Sequence, residues 1–519
     1  MQQVTSRSLS DTTAAVENIC SWRIDVPSLE QLLLASSRSD GVFVPSDRHR
    51  YTHIDALRPT PAQSEEYEFM LTPAHDHKNT MSVLVGLMMI VAVNLVTNAV
   101  ASAAVPQSEA NKLNSKLTTM GANPEGNAAG TIPQIGRRAP ANRPAEEVLY
   151  IVNSNNLAQH RDKLTPGQIA LVNTYPGFEI QVYPSTRHRC YPNNIEENTR
   201  LNAVNASLTR DAKAPTNVRR GIPFPMPQSG LEAIFNHLMR PQPLAMAVSA
   251  EKTTKLQQGS ETLSIFSVHL QSVNDGARTN FEMLSLNNPI NGEFRRLVHT
   301  NFGDMTLHEL GKGNRAWVLR AGTRRVRRAG NNFFFDSPTA NGLMTADSIE
   351  LFNGVPHNYE WALDEGTHEI LMGYGAEQNS LSASEIAAGA ASAKYYPDPS
   401  SLYYELHRAY RIEATTREGK RHLYKRRVIF LDEDSWIAVA ADLYDSRGEL
   451  SRTHQGFIGR HADNAGHAWC LLNNDVSYDL LGGTYVVTTR DITPDGANIT
   501  EDDFTPVTLR NRGARSFFK

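Results

Sequence analysis

The stretch YELHRAYRIEATTREGKRHLYKRRVIFLDEDSWIAVAADLYDSRGEL, Tyr404–Leu450, decides the fold because apolar and polar residues alternate along most of it. Such alternation gives a β-strand one apolar and one polar face. Short polar turns, Arg417–Lys420, Asp432–Ser435 and Asp445–Gly448, separate three segments of this kind. Three strands joined by tight turns, with no helix between them, predict an antiparallel meander.

A second stretch, RAWVLRAGTRRVRRAG from Arg315, repeats the pattern. It predicts a strand over Ala316–Arg320, a turn at Ala321–Gly322 and a strand over Thr323–Ala329. Long strands that end in aromatic residues are typical of a curved sheet. The sequence therefore predicts a mainly β protein with helices (α+β), built on a strongly curved antiparallel sheet or an incomplete β-barrel closed by short helices.

Two capping signals predict helices before the strands begin. Thr165-Pro166-Gly167-Gln168 has an N-cap, a proline at the first helical position and a glutamine at the third. Ser229-Gly230-Leu231-Glu232 opens a second helix with a narrow apolar stripe that ends at Leu238. This stripe is too short to hold a helix alone, so we expect the helix to dock on the sheet.

The composition is that of a globular protein and excludes one class of partner. The chain has 519 residues, 40% hydrophobic and 20% charged, with a net charge of −4. This balance gives no reason to expect nucleic acid as a partner.

An apolar run, Met81–Val105, contains no charged side chain and is long enough to span a bilayer. Lys78 precedes the run, and Ala101-Ser102-Ala103 supplies the small-x-small pattern of a signal-peptidase site. We therefore predict an exported, periplasmic protein cut before Ala104, rather than a retained anchor or a core helix. No cysteine lies near the new N-terminus, so we expect no lipidation.

The predicted organisation follows from that cleavage site. We expect 1–69 to be a non-native or disordered extension, since translation from Met70 gives an ordinary leader, and 70–103 to be the signal peptide. An extended Gly-, Asn- and Pro-rich segment follows over 104–146, and one domain over 147–519.

The cysteines bear on the same compartment. Removal of the leader takes away Cys20 and leaves Cys190 and Cys470. An even pair in an oxidising compartment is a candidate disulfide, and two free buried thiols are the alternative.

The candidates for chemistry are weak. Glu405 and His407 share one strand face, as an acid–base or metal pair would, but cross-strand contacts with His422, Lys425 or Arg426 explain them more simply. No catalytic residue, metal site or cofactor is predicted from them.

The acidic run Asp432-Glu433-Asp434 is interpreted as a turn, because calcium would need more oxygen ligands at regular spacing. His368-Glu369 lacks the second histidine of a zinc-protease helix.

Four arginines, Arg324, Arg325, Arg327 and Arg328, surround Val326 in the second stretch. Alternation puts Arg325 and Arg327 on one face and Arg324 and Arg328 on the other, so the four cannot form a single patch. They are either a solvated hairpin or a rim that meets an anionic headgroup.

Several segments together resemble a known family. They are LTTMGANPEGNAAGTIP, LTPGQIALVNTYPGFEIQVYPSTRHRCYP, GIPFPMPQSGLEAIFNHL, NRAWVLRAGTRRVRRAG and the meander. The chain is similar over Glu109–Arg512 to proteobacterial exported proteins of unknown function, described as outer-membrane lipoprotein-sorting-like and grouped with the LolA fold. Phe235, where the family usually has Trp, and Cys190 depart from the pattern.

The resemblance implies a half-barrel whose apolar concave side shelters acyl chains. We predict a carrier for a lipid or other hydrophobic molecule, with outer- or inner-membrane transport proteins as further partners. Arg325 and Arg327 would stand at its rim. The predicted lining comes from one face of each strand, and a register error of one residue would exchange the faces. These residues are Trp317, Leu319, Tyr404, Leu406, Tyr410, Tyr424, Val428 and Phe430.

Two other functions remain open from the sequence. One is a non-enzymatic adaptor of an envelope transport complex. The other is a hydrolase of hydrophobic substrates that uses Glu405 and His407.

Overall fold

The structure is a computed structural model, and it describes a large part of the chain. The described residues are 105–136, 147–256, 260–271, 294–300, 305–310, 315–319, 325–328, 338–339, 342–374, 395–495 and 506–507. All of them belong to one compact unit, Val83–Lys519. The predicted extension and signal peptide, 1–69 and 70–103, lie outside the described residues.

Five α-helices have both ends in the described ranges, and all of them end before residue 240. Residues 506–507 are also helical. None of them combines the length and apolar character that a membrane span needs. The helices are α1 (Gln107–Ala110), α2 (Leu157–His160), α3 (Pro166–Thr174), α4 (Asn193–Asn205) and α5 (Gly230–Met239). The 3₁₀ turns are Arg161–Lys163, Ala346–Ser348, Pro356–Asn358 and Pro399–Ser401.

Both predicted helix starts are confirmed. The Thr165 hydroxyl accepts from Gln168 N at 3.2 Å and the Gln168 side chain accepts from Thr165 N at 3.0 Å, which completes the capping box of α3. Ser229 caps α5 through Glu232 N, but the Glu232 carboxylate reaches back to Gln228 N. The apolar stripe of α5 docks on the sheet as expected.

Most strands belong to one 16-stranded sheet. Its early strands are β1 (Tyr150–Val152), β2 (Ile180–Tyr183), β5 (Ala245–Lys255), β6 (Ser260–Gln271), β7 (Phe294–Thr300), β8 (Met305–Leu310), β9 (Arg315–Leu319) and β10 (Val326–Arg328). Its later strands are β13 (Tyr359–Leu363), β14 (His368–Tyr374), β15 (Tyr404–Thr416), β16 (Arg426–Asp432), β17 (Ala438–Tyr444), β18 (Leu450–Ala462), β19 (Ala468–Asp479) and β20 (Thr484–Pro494). Two small separate sheets pair β3 (Ser207–Leu208) with β4 (Pro215–Thr216), and β11 (Pro338–Thr339) with β12 (Met344–Thr345).

The predicted meander is present as β15, β16 and β17, with antiparallel pairing throughout. The second strand begins at Arg426, six positions after the predicted turn Arg417–Lys420 ends, and the third begins at Ala438, three positions after the predicted turn Asp432–Ser435 ends. The later start of β17 has a local cause, because Trp436 has φ 60° and its N–H closes a turn on Asp432 O at 2.9 Å.

The meander forms part of a closed barrel. β14 pairs antiparallel with β15 and parallel with β18, and β15 to β18 pair in sequence. Five strands thus return on themselves, and we call β14–β18 the barrel. The fold class is mainly β, as predicted, with the curvature carried to full closure in these five strands.

The sheet continues beyond the barrel. β18 pairs with β19, β19 with β20, and β20 with β5. From there β5 to β10 pair in sequence as an antiparallel ladder, which we call the wing.

Two apolar cores surround the barrel strands. The first joins the meander to α5 and to β5, through residues such as Ile234 and Val248. The second packs α3 and β2 against β15, β19 and β20. As a result β15, β16 and β17 are buried on both faces over most of their length.

The N-terminal segment, expected to be extended, contributes to both cores. Met120 is buried in the first core and Ile132 in the second, and the Trp436 indole donates to Met120 O at 2.9 Å. Apart from α1 the described part, 105–136, is made of turns and coil.

Candidate functional site

The predicted lining residues of the meander lie in the two cores. Tyr404 and Leu406 belong to the core under α3, and the Tyr404 hydroxyl donates to Gln455 Oε1. Val428 and Phe430 belong to the other core. Each of these four side chains is therefore packed against protein in this structure.

The pairing register shows that these residues do not share one face. Phe430 stands opposite Arg411, and Val428 opposite Glu413. Residues that stand opposite each other project to the same side, so Val428 and Phe430 lie on the charged face of β15. Tyr404, Leu406 and Tyr410 lie on the other face. A single concave wall cannot contain all five, which corrects the expected one-face set.

The two remaining tyrosines have partners of their own. Tyr410 is half-buried and stacks on Trp436 with 4.7 Å between ring centroids. Tyr424 is buried just before β16, where its hydroxyl accepts from Arg452 Nη1 at 2.6 Å.

The wing brings apolar residues into one row. The register places Ala247 opposite Val268, Val268 opposite Leu297, Leu297 opposite Leu307, and Leu307 opposite Trp317. Leu319, two positions from Trp317, lies on the same face, opposite Met305. Sequence alternation on β9 found Trp317 and Leu319, but the row depends on the register of five strands.

The burial of β5 shows which face of this strand the first core covers. Met246, Val248 and Ala250 are buried in the first core. Ala247 is half-buried and Ser249 is exposed on the other face, the face of the apolar row. Trp317 at the far end of the row is half-buried as well.

The two predicted rim arginines lie at the edge of the wing. Arg327 stands opposite Val318, on the face away from Trp317, and Arg325 precedes the strand. Both are exposed. Arg328, rather than Arg327, stands opposite Trp317. The expectation that Arg327 lies beside a lining that contains Trp317 is therefore wrong.

A buried charged group, which we call the acid cluster, lies at one end of the barrel. It forms where β14 ends, β15 begins and β16 turns into β17. Its members are Tyr374, Glu405, His407, Arg408, Asp432, Glu433 and Asp434, together with Arg187 from the segment after β2.

Arg187 ties that segment to the turn after β16. Its Nε and Nη2 donate to Asp434 at 2.8 and 2.7 Å, and Nη2 donates to Glu433 at 3.0 Å. Asp434 and its neighbours hold the pKa of Arg187 above its usual range against the effect of burial. The turn after β16 was predicted, but its burial was not, because Arg187 lies 247 positions away in sequence from Asp434.

Two carboxyls of the acid cluster bind protons more tightly than usual. Burial, followed by the charge of Asp434, raises the pKa of Asp432 to about 6. The same two causes raise the pKa of Glu433 to about 8, against the opposing charge of Arg187.

The structure also shows what Glu405 and His407 contact. Their side chains bond each other at 3.0 Å, and Glu405 accepts from Thr186 N at 2.6 Å. The expected partners on the neighbouring strand were His422, Lys425 or Arg426. The structure instead directs the pair towards the segment after β2, where Thr186 lies. His407 and Glu405 are 1% and 3% exposed, so solvent does not reach the pair in this state.

A disulfide joins Cys190 to Cys470. It links the segment that carries Arg187 to β19, and Cys470 N also donates to Cys190 O at 3.2 Å. The bond spans 280 residues of sequence.

These features define a mainly β protein with a self-packed five-strand barrel and an antiparallel wing. A family model described as "Protein of unknown function (DUF1329)" matches residues 151–510, more than half of the sequence. The chain belongs to this family. The "Uncharacterized protein PA3922" of Pseudomonas aeruginosa is 32% identical over 447 residues, 80% of this chain and 95% of that protein.

Solved structures show weaker likeness. A DUF1329 family protein from Desulfovibrio piger is 15% identical, with a TM-score of 0.35, over 52% of this chain and 92% of that chain. A "putative outer membrane lipoprotein-sorting protein domain" from Vibrio parahaemolyticus is 13% identical, with a TM-score of 0.37, over 54% and 98%. The LolA superfamily protein NE2245 from Nitrosomonas europaea is 12% identical, with a TM-score of 0.31, over 53% and 97%.

Proposed function

We propose that the protein is a non-enzymatic periplasmic carrier for a lipid or other hydrophobic molecule, acting in lipid or lipoprotein sorting or in transport of hydrophobic compounds. One observation carries this proposal. The row of Ala247, Val268, Leu297, Leu307 and Trp317 crosses five strands of the wing, and Ala247 and Trp317 at its two ends are only half-buried.

An apolar row of this kind suits an apolar ligand. Removing apolar surface from water contributes about 25 cal/mol per Å² to the free energy of binding, before the entropic cost of association is subtracted. The barrel strands β15, β16 and β17 already bury both faces against protein, so the wing is the better candidate surface.

The disulfide supports a compartment outside the cytoplasm. Bonds such as Cys190–Cys470 form and persist in oxidising surroundings, including the bacterial periplasm. Inner- or outer-membrane transport proteins would then deliver or receive the ligand.

The test compares two Ala→Asp variants of the full chain, produced in the periplasm of a Gram-negative host. Ala247→Asp puts a charge in the apolar row, and Ala362→Asp puts one at an exposed position on β13. Co-purifying lipid is measured by native mass spectrometry and by organic extraction.

We expect bound lipid on wild type and on Ala362→Asp, with at least a ten-fold loss on Ala247→Asp at unchanged melting temperature. Lipid-free wild type that does not take up lipid from vesicles would contradict the carrier. Equal lipid on both variants would place the ligand away from the wing.

A further inference from the structure

We propose that the acid cluster binds a divalent transition-metal ion through His407 Nδ1 and the carboxylates of Asp432 and Asp434. A ring nitrogen of His407 and one carboxylate oxygen from each aspartate all lie within 4.8 Å of one another. Ligands at ~2.1 Å from one ion are at most ~4.2 Å apart, so small side-chain rotations close this set. The inference concerns a site separate from the proposed ligand face.

His407 is held as a metal-binding histidine is held. Its Nε2 is 3.0 Å from Glu405 Oε2, and Glu405 is fixed in turn by Thr186 N. A carboxylate that accepts from one ring nitrogen leaves the lone pair of the other free to coordinate, an arrangement common behind metal-bound histidines. In His407 the nitrogen left over is Nδ1.

Three buried polar atoms at this place have no hydrogen-bond partner in the described part of the chain. They are His407 Nδ1, Asp432 Oδ1 and the Tyr374 hydroxyl. The Tyr374 ring stacks on His407 with 4.2 Å between centroids. A buried polar group without a hydrogen-bond partner is unfavourable, so three such groups at one place indicate a common partner.

The other oxygens of the two aspartates are occupied in a way that orients them. Asp432 Oδ2 accepts from Ser435 N at 2.9 Å and from its hydroxyl at 2.5 Å, which leaves Oδ1 directed elsewhere. Asp434 accepts two bonds from Arg187, and a carboxylate oxygen has a second lone pair for an ion.

The charges in the acid cluster also favour a cation. The cluster contains four carboxylates, those of Glu405, Asp432, Glu433 and Asp434, and the two guanidinium groups of Arg187 and Arg408. Arg187 pairs with Glu433 and Asp434, and Arg408 pairs with Glu433. When all are ionised, two negative charges are left without compensation, and buried charges without partners are strongly unfavourable. One divalent ion supplies the missing charge.

The donor atoms select the metal class. One imidazole nitrogen with carboxylate oxygens suits zinc or manganese, whereas calcium and magnesium prefer oxygen alone and copper(I) prefers sulfur. Three protein ligands leave one position, which the nearby Tyr374 hydroxyl or a water completes. Zinc is therefore the probe of choice.

The test uses full-length protein stripped with EDTA and dialysed against Zn²⁺. Metal is counted by plasma mass spectrometry in wild type, Asp432→Asn and the control Asp445→Asn, whose carboxylate lies in an exposed turn. We expect one zinc per chain in wild type and in the control, and at least a ten-fold lower content in Asp432→Asn. His407→Gln serves as the second variant if Asp432→Asn does not fold.

A second readout separates binding from adventitious zinc. Zn²⁺ should raise the melting temperature of stripped wild type and leave that of Asp432→Asn unchanged. Equal zinc content in all three proteins, or a melting temperature in wild type that neither EDTA nor Zn²⁺ moves, would overturn the proposal. In that case protons on the carboxyls balance the cluster.

Discussion

The barrel and the wing are parts of one sheet, yet they differ in what packs against them. β15 to β17 are covered on both faces, by the two cores and by ionic groups inside the protein. β5 at the root of the wing buries Met246, Val248 and Ala250 on one face, whereas Ala247 and Ser249 on the other face are half-buried and exposed, and the apolar row begins at Ala247. Substitutions in the barrel should therefore change stability, whereas substitutions in the row should change binding.

The largest expected effect is in the barrel, at the ion pair of Arg427 and Asp347. Arg427 Nη2 lies 2.9 and 2.8 Å from the two Asp347 oxygens, and both side chains are fully buried. Arg427→Met leaves the buried Asp347 carboxylate with Thr345, Tyr359 and His422 as hydrogen-bond partners but without its arginine. We expect a loss of about 3–5 kcal/mol in the free energy of unfolding, measured by urea denaturation.

The matched control is Arg447→Met, which removes an exposed partner of Asp445. It should cost less than about 1 kcal/mol. Similar losses in the two variants would show that the barrel does not depend on its buried pair.

The disulfide gives the next effect. Cys190→Ser with Cys470→Ser releases the segment that carries Arg187 from β19, and we expect a loss of about 2–4 kcal/mol in unfolding free energy. Urea denaturation under oxidising conditions measures it. Reduction of wild type with dithiothreitol should reproduce the loss, and a double variant as stable as oxidised wild type would contradict the assignment.

The fold could be predicted from sequence where the signals are local. Alternation and turns located β15 to β17, and capping residues located α3 and α5. Closure of the barrel was not predictable, because the β14–β18 pairing joins Gly373 to Phe457 across 84 positions. The charge pattern alone could not distinguish an exposed acidic turn from a buried one either.

The site was harder to predict than the fold. Alternation identifies the two faces of each strand but not which face a core covers. Trp317 and Leu319 lie in or beside the apolar row, whereas Val428 and Phe430 lie on the charged face of β15, because only the register relates strands to each other.

A smaller effect is expected from pH. Burial, followed by the charge of Arg240, lowers the pKa of His237 to about 3. Its Nδ1 accepts from Ala438 N at 3.0 Å while Nε2 lies 2.9 Å from Phe352 O, which fits a neutral ring.

The unfolded chain protonates the His237 ring near pH 6.5, and the folded chain does not. The contribution of His237 to the free energy of unfolding is therefore complete above pH 6.5 and falls towards pH 3. Between pH 7 and pH 5 the loss is about 2 kcal/mol. Urea midpoints of wild type and His237→Gln are compared at both pH values. The difference isolates the effect of His237 from that of carboxyls such as Asp432, whose effect on stability changes with pH in the opposite direction. An unchanged pH slope in the variant would argue against a neutral buried ring.

The most direct measurement of the central claim is quenching of tryptophan fluorescence by a brominated lipid. Trp317 lies in the apolar row, and Trp361 is an equally half-buried tryptophan on β13. With a lipid seated on the wing, wild type and Trp361→Phe should be quenched, and Trp317→Phe should lose most of the quenching at unchanged melting temperature. Quenching that survives in Trp317→Phe and disappears in Trp361→Phe would contradict a carrier that holds its ligand on the wing.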